Sequence, residues 1–134
     1  MSNTLITQIQ DVYAAFGRGD VPYILGQLTA DVSWEFEAPA AISWGGLRRG
    51  LEETAGFFSG IAAEHVNPVL KMTEFFASGD AVAAFGRYDA TLRSTGVRVS
   101  VPSAHYFQFR DGKICRYINF TNTVAFVEAA APLC

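Results

Sequence analysis

Residues 97–124 read V-R-V-S-V-P-S-A-H-Y-F-Q-F-R-D-G-K-I-C-R-Y-I-N-F-T-N-T-V. Val97, Val99 and Val101 alternate with Arg98 and Ser100, the period-2 pattern of a half-buried strand. Ser103, His105, Phe107 and Phe109 continue the same parity. Arg110-Asp111-Gly112-Lys113 is a tight turn in which Asp-Gly supplies the positive φ of a short hairpin. Ile114 to Thr123 is expected to return as the second strand. The pattern predicts a long antiparallel hairpin with polar groups, His105 and Asn119 foremost, set into an otherwise apolar face.

Upstream, Ala81 to Thr95 alternates as well. Ala81, Ala83, Phe85, Arg87, Asp89 and Thr91 share one face, and Val82, Ala84, Gly86, Tyr88 and Leu92 the other. Val66 to Ala77 reads as a further strand, closed by the turn Ser78-Gly79-Asp80. Leu51 to His65 is predicted to be a helix. Its buried stripe is Leu51, Ala55, Phe58 and Ala62, broadened by Phe57 and Ile61, and Glu52 and Glu53 complement its dipole. Residues 41–50, with Trp44, Gly45-Gly46 and two arginines, are expected to form a loop on the rim of a cavity. Val32 to Glu37 alternates Val32, Trp34 and Phe36 against Ser33, Glu35 and Glu37, a strand whose second face carries two carboxylates. At the start, Leu5, Ile6, Ile9, Val12, Tyr13 and Phe16 fall on one helical stripe, capped by Asn3 or Thr4. Asp20 caps a short second helix with Pro22 in its first turn. Residues 124–130 form a short helix or frayed tail, stopped by Pro132.

The chain has 134 residues, the length of one domain (1–134) able to bury a core. Half the residues are hydrophobic and 17% are charged, which excludes a disordered chain. With a net charge of −3 and Arg48-Arg49 as the only adjacent basic pair, nucleic acid is not an expected partner. No apolar run is long enough to span a bilayer, so no membrane partner is expected. Cys115 and Cys134 make no disulfide framework, and a reduced cytoplasmic setting is the expectation. His65 and His105 are the only histidines. With no Cys-x-x-Cys or His-x-x-x-His pattern, no metal site is expected. The order helix, helix, strand, helix and four long strands predicts an α+β domain with helices segregated on one face of a bent sheet.

Several stretches carry a resemblance: Tyr13-Ala14-Ala15-Phe16 through Gly19-Asp20, Leu28-Thr29-Ala30-Asp31-Val32, Arg49-Gly50, and Phe107-Gln108-Phe109-Arg110-Asp111-Gly112-Lys113-Ile114. Together they resemble the SnoaL-like and ketosteroid-isomerase-like families of the nuclear-transport-factor-like superfamily. The resemblance implies a cone: a curved, mostly antiparallel sheet with three helices packed on its concave side around an apolar pocket, commonly in a homodimer. It also implies that the isomerase base falls at Glu37-Ala38-Pro39, although the count from Asp31 puts Phe36 there. The isomerase acid that donates to the oxyanion falls at His105. The isomerase tyrosine of helix one falls on Val12, beside Tyr13, so that donor is expected to be missing. Arg87-Tyr88-Asp89 is similar to the arginine–aspartate pair of limonene epoxide hydrolase. Asn119 stands where that enzyme has its second carboxylate, and Asn can neither take nor give the proton.

Arg87 and Asp89 share a face, so either they form an ion pair inside the pocket or they pair on the outside of the sheet. Glu35 and Glu37 share a face too. Alternation turns them to solvent, while the resemblance draws Glu37 toward the pocket. The expected function is therefore a small-molecule pocket with cofactor-independent acid–base chemistry of the isomerase or cyclase type, on an apolar cyclic ligand. Glu37, Asp89 and His105 are the candidate catalytic residues, and Arg87, Asn119, Trp44 and Tyr117 the candidate binding residues. The alternative is a non-catalytic binding or dimerisation domain.

Overall fold

The computed structural model describes residues 2–131, with side chains for 4–131. The expected roles of Asn3 as a cap, Pro132 as a helix stop and Cys134 as a lone thiol fall outside those side chains. In chain order the elements are α1 (Ser2–Gly17), α2 (Val21–Gly26), β1 (Leu28–Phe36), β2 (Gly46–Arg49), α3 (Gly50–Glu64), β3 (His65–Ser78), β4 (Ala81–Leu92), β5 (Arg98–Arg110), β6 (Lys113–Thr121) and α4 (Thr123–Ala130).

The predicted hairpin forms as β5 and β6. Its turn carries positive φ at both Asp111 (53°) and Gly112 (80°), the geometry a two-residue connection needs to match the strand twist. The sheet order is β2-β1-β6-β5-β4-β3. All pairings are antiparallel except β1 with β6, which run parallel. The α+β class therefore holds, with a mixed sheet and, among the described residues, six strands and four helices where three helices were expected. The strand that sequence reading placed in a loop is β2. It pairs Ser33 with Arg49 and Trp34 with Arg48, and its Gly-Leu-Arg-Arg content hides any alternation.

Val82, Ala84, Tyr88, Ala90 and Leu92 of β4 are buried, as are Val99, Val101, Ser103, His105, Phe107 and Phe109 of β5. These residues form the concave face, and the helices close over it. The α1 helix packs on β3, α3 on β1 and α4 on β5. The buried side of α3 is Thr54, Phe57, Phe58 and Ile61, rotated from the predicted stripe because both phenylalanines go inward. Where β3 passes β4, its register shifts between Met72 and Glu74. A Cβ on Gly86 would lie 2.1 Å from the Lys71 carbonyl oxygen, so only glycine lets the two strands approach this closely. None of the described helices is long and apolar enough to cross a membrane.

Candidate functional site

Three rungs of the β5–β6 ladder set the site. Ser103 opposes Thr121, His105 opposes Asn119, and Phe107 opposes Tyr117. Directly opposed side chains on one face stand about 5 Å apart at Cβ, close enough to hydrogen-bond or stack. All six belong to the concave face and line a cavity of about 60 Å³. The parallel β1 adds Trp34 opposite Tyr117 and Phe36 opposite Asn119. Trp34 stacks on Tyr117 with ring centroids 3.8 Å apart and planes 19° from parallel. From above, α1 contributes Tyr13 and Phe16, and α3 contributes Phe57 and Phe58. The walls are thus mainly aromatic and the polar groups concentrate on one chain of hydrogen bonds.

That chain has a direction. The Thr121 hydroxyl donates to Oδ1 of Asn119, which leaves the Thr121 oxygen to accept from Ser103 Oγ at 3.1 Å. Asn119 Nδ2 then donates to the Tyr117 oxygen at 2.9 Å and to Nε2 of His105 at 3.1 Å. This orientation gives both amide hydrogens an acceptor. Reversing the amide would strand one of them in the interior, at a cost of about 1–3 kcal/mol. With Nε2 accepting, a neutral imidazole carries its proton on Nδ1, and Nδ1–H donates to the Tyr13 oxygen at 2.8 Å. Tyr13 and Tyr117 are therefore acceptors within the chain, and their own O–H groups remain free to donate into the cavity. Burial keeps the whole chain neutral. It pushes His105 down to about 3 and the Tyr13 and Tyr117 phenols well above their usual value.

A second histidine–tyrosine pair stands on another wall. The Tyr88 hydroxyl and His65 Nδ1 are 2.6 Å apart, and burial lowers His65 to about 4. Tyr88 lines the same cavity, beside Trp44 and Phe126. The Trp44 loop is held by Arg48, whose Nη1 donates to the Trp44 carbonyl at 2.9 Å. It seats against Gly60 of α3, where a Cβ would approach Trp44 to 3.3 Å.

Of the sequence-predicted residues, the cavity gathers His105, Asn119, Trp44 and Tyr117. Glu37, Arg87 and Asp89 are elsewhere. Glu37 is exposed, because β1 alternates from Val32 through Phe36 and its register shift against β6 lies earlier, between Leu28 and Ser33. Its amide donates to the Asn119 carbonyl, so Phe36 holds the inward position. The Glu35 carboxyl is raised, first by a hydrogen bond with Glu37 and then by burial and like charge, on the same outer side. Arg87 and Asp89 belong to the outer face of β4, opposite in parity to Tyr88. Arg87 is exposed and donates to Ser100, through Nε to Oγ and through Nη2 to the carbonyl, rather than to Asp89. Tyr13 lines the cavity, as does its neighbour Val12, on which the resemblance places the isomerase tyrosine. Sequence reasoning also passed over Ser103, Thr121, Tyr88 and His65. The first three share the inward parity of their strands, which was a usable signal; His65 follows helix three directly and had none. Among the described residues no group of His, Cys, Asp and Glu is arranged to hold a metal ion.

The sequence profile of the SnoaL-like domain matches residues 9–117. No functionally curated protein matches the chain. Among solved structures, a protein of unknown function from Burkholderia pseudomallei, of the nuclear-transport-factor-like type, is similar at 24% identity. The match covers 98% of this chain and 100% of that one, with a TM-score of 0.87. TerC, co-crystallised with polyporic acid, is similar at 28% identity, over 95% of this chain and 98% of that one, with a TM-score of 0.84. A protein from Jannaschia sp., provisionally named a SnoaL-like polyketide cyclase, is 17% identical over 98% of this chain and 95% of that one, with a TM-score of 0.86.

Proposed function

The chain belongs to the SnoaL-like domain family, and on that premise we propose that it binds a small, flat, largely apolar cyclic molecule bearing a carbonyl oxygen. We propose further that it acts on this molecule, without a cofactor, as an acid–base enzyme of the isomerase or cyclase type. The observation that carries the reading is the directed chain Ser103–Thr121–Asn119–His105–Tyr13, with its branch to Tyr117. It ends in two phenolic donors inside an aromatic cavity. Neutral donors fixed in a water-poor site stabilise negative charge as it develops on an oxygen, and they need no reorganisation to do so. Tyr13 and Tyr117 would hold the ligand oxygen, and His105 would stabilise Tyr13 as it gives up its proton. Trp44 would cover the ring. Glu37, Asp89 and Arg87 have no part in this scheme, since none lines the cavity. The likeness to TerC supports a ring-bearing ligand by analogy.

A second reading, binding without chemistry, is favoured by one observation. No carboxylate lines the cavity among the described residues, so a strong base for carbon acids is missing from its walls. The experiment that separates the readings uses 2-tetralone in deuterium oxide, with α-hydrogen exchange followed by NMR and binding by calorimetry. Faster exchange with wild type, lost in Tyr13→Phe, supports catalysis. Binding without faster exchange supports the second reading. Neither binding nor exchange, with polyporic acid also unbound, would remove both.

We also propose that the protein is a homodimer joined through the outer face of the sheet. Phe85 opposes Ala104, which opposes Phe120. Phe76 packs edge-on against Phe85 at 6.0 Å. Phe76, Phe85 and Phe120 are 59%, 41% and 49% exposed, an apolar band that association would cover.

A further inference from the structure

The hydrogen bonds around Tyr13 and His105 use one end of the cavity. The other end has polar capacity that no described residue satisfies. The indole N–H of Trp44 is buried and without a partner, and so is Nε2 of His65. Trp44 is 5% exposed and His65 3%. The two rings meet edge to face with centroids 4.4 Å apart, and His65 holds the hydroxyl of Tyr88. A buried donor without an acceptor is rare in folded proteins and calls for an explanation. Two residues with such a donor, Trp44 and Trp34, line the cavity; Trp34 stacks on Tyr117, and Trp44 meets His65.

We infer that Tyr88, His65 and Trp44 form a second polar pole of the cavity, which takes a hydroxyl or carbonyl oxygen at the far end of the ligand's ring system. This rests on the ligand-binding reading above. An oxygen at this pole accepts from the Trp44 N–H and exchanges a hydrogen bond with the Tyr88 hydroxyl. His65 fixes that hydroxyl in place. The ligand class narrows accordingly, from a cyclic ketone to a flat ring system oxygenated at both ends.

The ladder sets the two poles apart. His105 opposes Ala84 and Tyr88 opposes Val101 in the β4–β5 ladder. The two poles are thus four residues apart on β4, roughly 13 Å at ~3.3 Å per residue. Tyr88 and Trp44 at one pole and Tyr13, His105 and Tyr117 at the other all line the one cavity. The centres of water molecules have about 60 Å³ of the cavity open to them. At about 10–15 Å³ of such space per water it has room for about four to six waters, comparable to the room a two-ring aromatic molecule needs.

A matched pair of probes isolates the far oxygen: 2-naphthol and naphthalene-2,6-diol, titrated calorimetrically into the full chain. The expected result is about tenfold tighter binding of the diol to wild type, the equivalent of about one net hydrogen bond. Tyr88→Phe and Trp44→Phe should each bring the ratio of the two affinities close to one, while Tyr13→Phe weakens both probes and keeps the ratio. Thermal melts of each variant confirm folding, and Trp44→Phe serves should Tyr88→Phe not fold. Equal binding of the two probes by wild type overturns the second pole and leaves the ligand-binding reading standing. So does a diol preference that survives both substitutions. Failure of wild type to bind either probe removes the ligand-binding reading itself, and the second pole with it.

Discussion

The hydroxyl of Tyr13 lies 2.8 Å from Nδ1 of His105, a bond across 92 residues that ties the first helix to the fifth strand. Tyr13→Phe removes the phenol and keeps the ring contacts with Phe75 and Phe107. Because the change strands the buried Nδ1–H of His105, the stability loss should be about 1–3 kcal/mol. Any exchange activity toward 2-tetralone should fall by about 10²-fold or more, as when an oxyanion donor is removed. Urea denaturation and NMR exchange rates check the two numbers separately.

Thr121 orients Asn119 through a hydrogen bond to Oδ1. Thr121→Val keeps the shape and deletes the donor, leaving a buried carbonyl oxygen unsatisfied, and should cost about 1–3 kcal/mol. Thr121→Ser, which retains the hydroxyl, should recover most of it. Equal stability of the Val and Ser variants in urea would show that the hydroxyl does not hold the amide.

His105 and His65 are both kept neutral by burial, at about 3 and about 4, against ~6.5 in an unfolded chain. Between those values the unfolded chain binds protons that the folded chain refuses. The stabilisation is complete above pH ~6.5 and is lost as pH falls toward 4 and below. Each histidine contributes a slope of up to about 1.4 kcal/mol per pH unit in that window. Unfolding free energies at pH 7, 6 and 5 should show the decline, and His65→Phe should flatten it. An unchanged slope in that variant would rule out His65 as a cause.

Gly86→Ala should cost about 1–3 kcal/mol or more, because the added methyl meets the Lys71 carbonyl oxygen at 2.1 Å and the Met72 Cα at 2.6 Å. Both obstacles are backbone, so no side-chain movement relieves them. Gly56→Ala in α3, where nothing lies within 4 Å of the new methyl, should instead stabilise by about 0.5–1 kcal/mol through helix propensity and unfolded-state entropy. Paired thermal melts give the contrast.

If the outer sheet face joins two copies, Phe85→Glu and Phe120→Glu should convert a dimer to a monomer in light scattering coupled to size exclusion. The cavity residues are on the opposite face and should still bind ligand. A wild-type chain that is monomeric at micromolar concentration would end the dimer proposal.

The hairpin and the inward parity of Ser103, His105 and Phe107 could be read from the chain, because period-2 alternation is local and β5 obeys it without interruption. The faces of β4 were also readable, but not which of them is inward. That depended on Tyr88 outweighing the attraction of an arginine and an aspartate two residues apart. Tyr13 was set aside by a one-residue count, although the inner stripe of α1 is wide enough to bring both Val12 and Tyr13 to the cavity. The pairing of β1 with β6 and the strand at 46–49 leave no local trace. Both are fixed by partners distant in sequence or by backbone hydrogen bonding alone.

The parallel seam between β1 and β6 joins residues 28–36 to residues 114–119. During synthesis Trp34 is made long before Tyr117, the ring it will stack on, and His105 precedes the amide that fixes its tautomer. A nascent chain with its first three helices and first five strands already made still has no directed relay and no floor to its cavity. The cavity wall is therefore completed only when β6 has been made, and a ligand of the kind proposed would favour that closure by mass action.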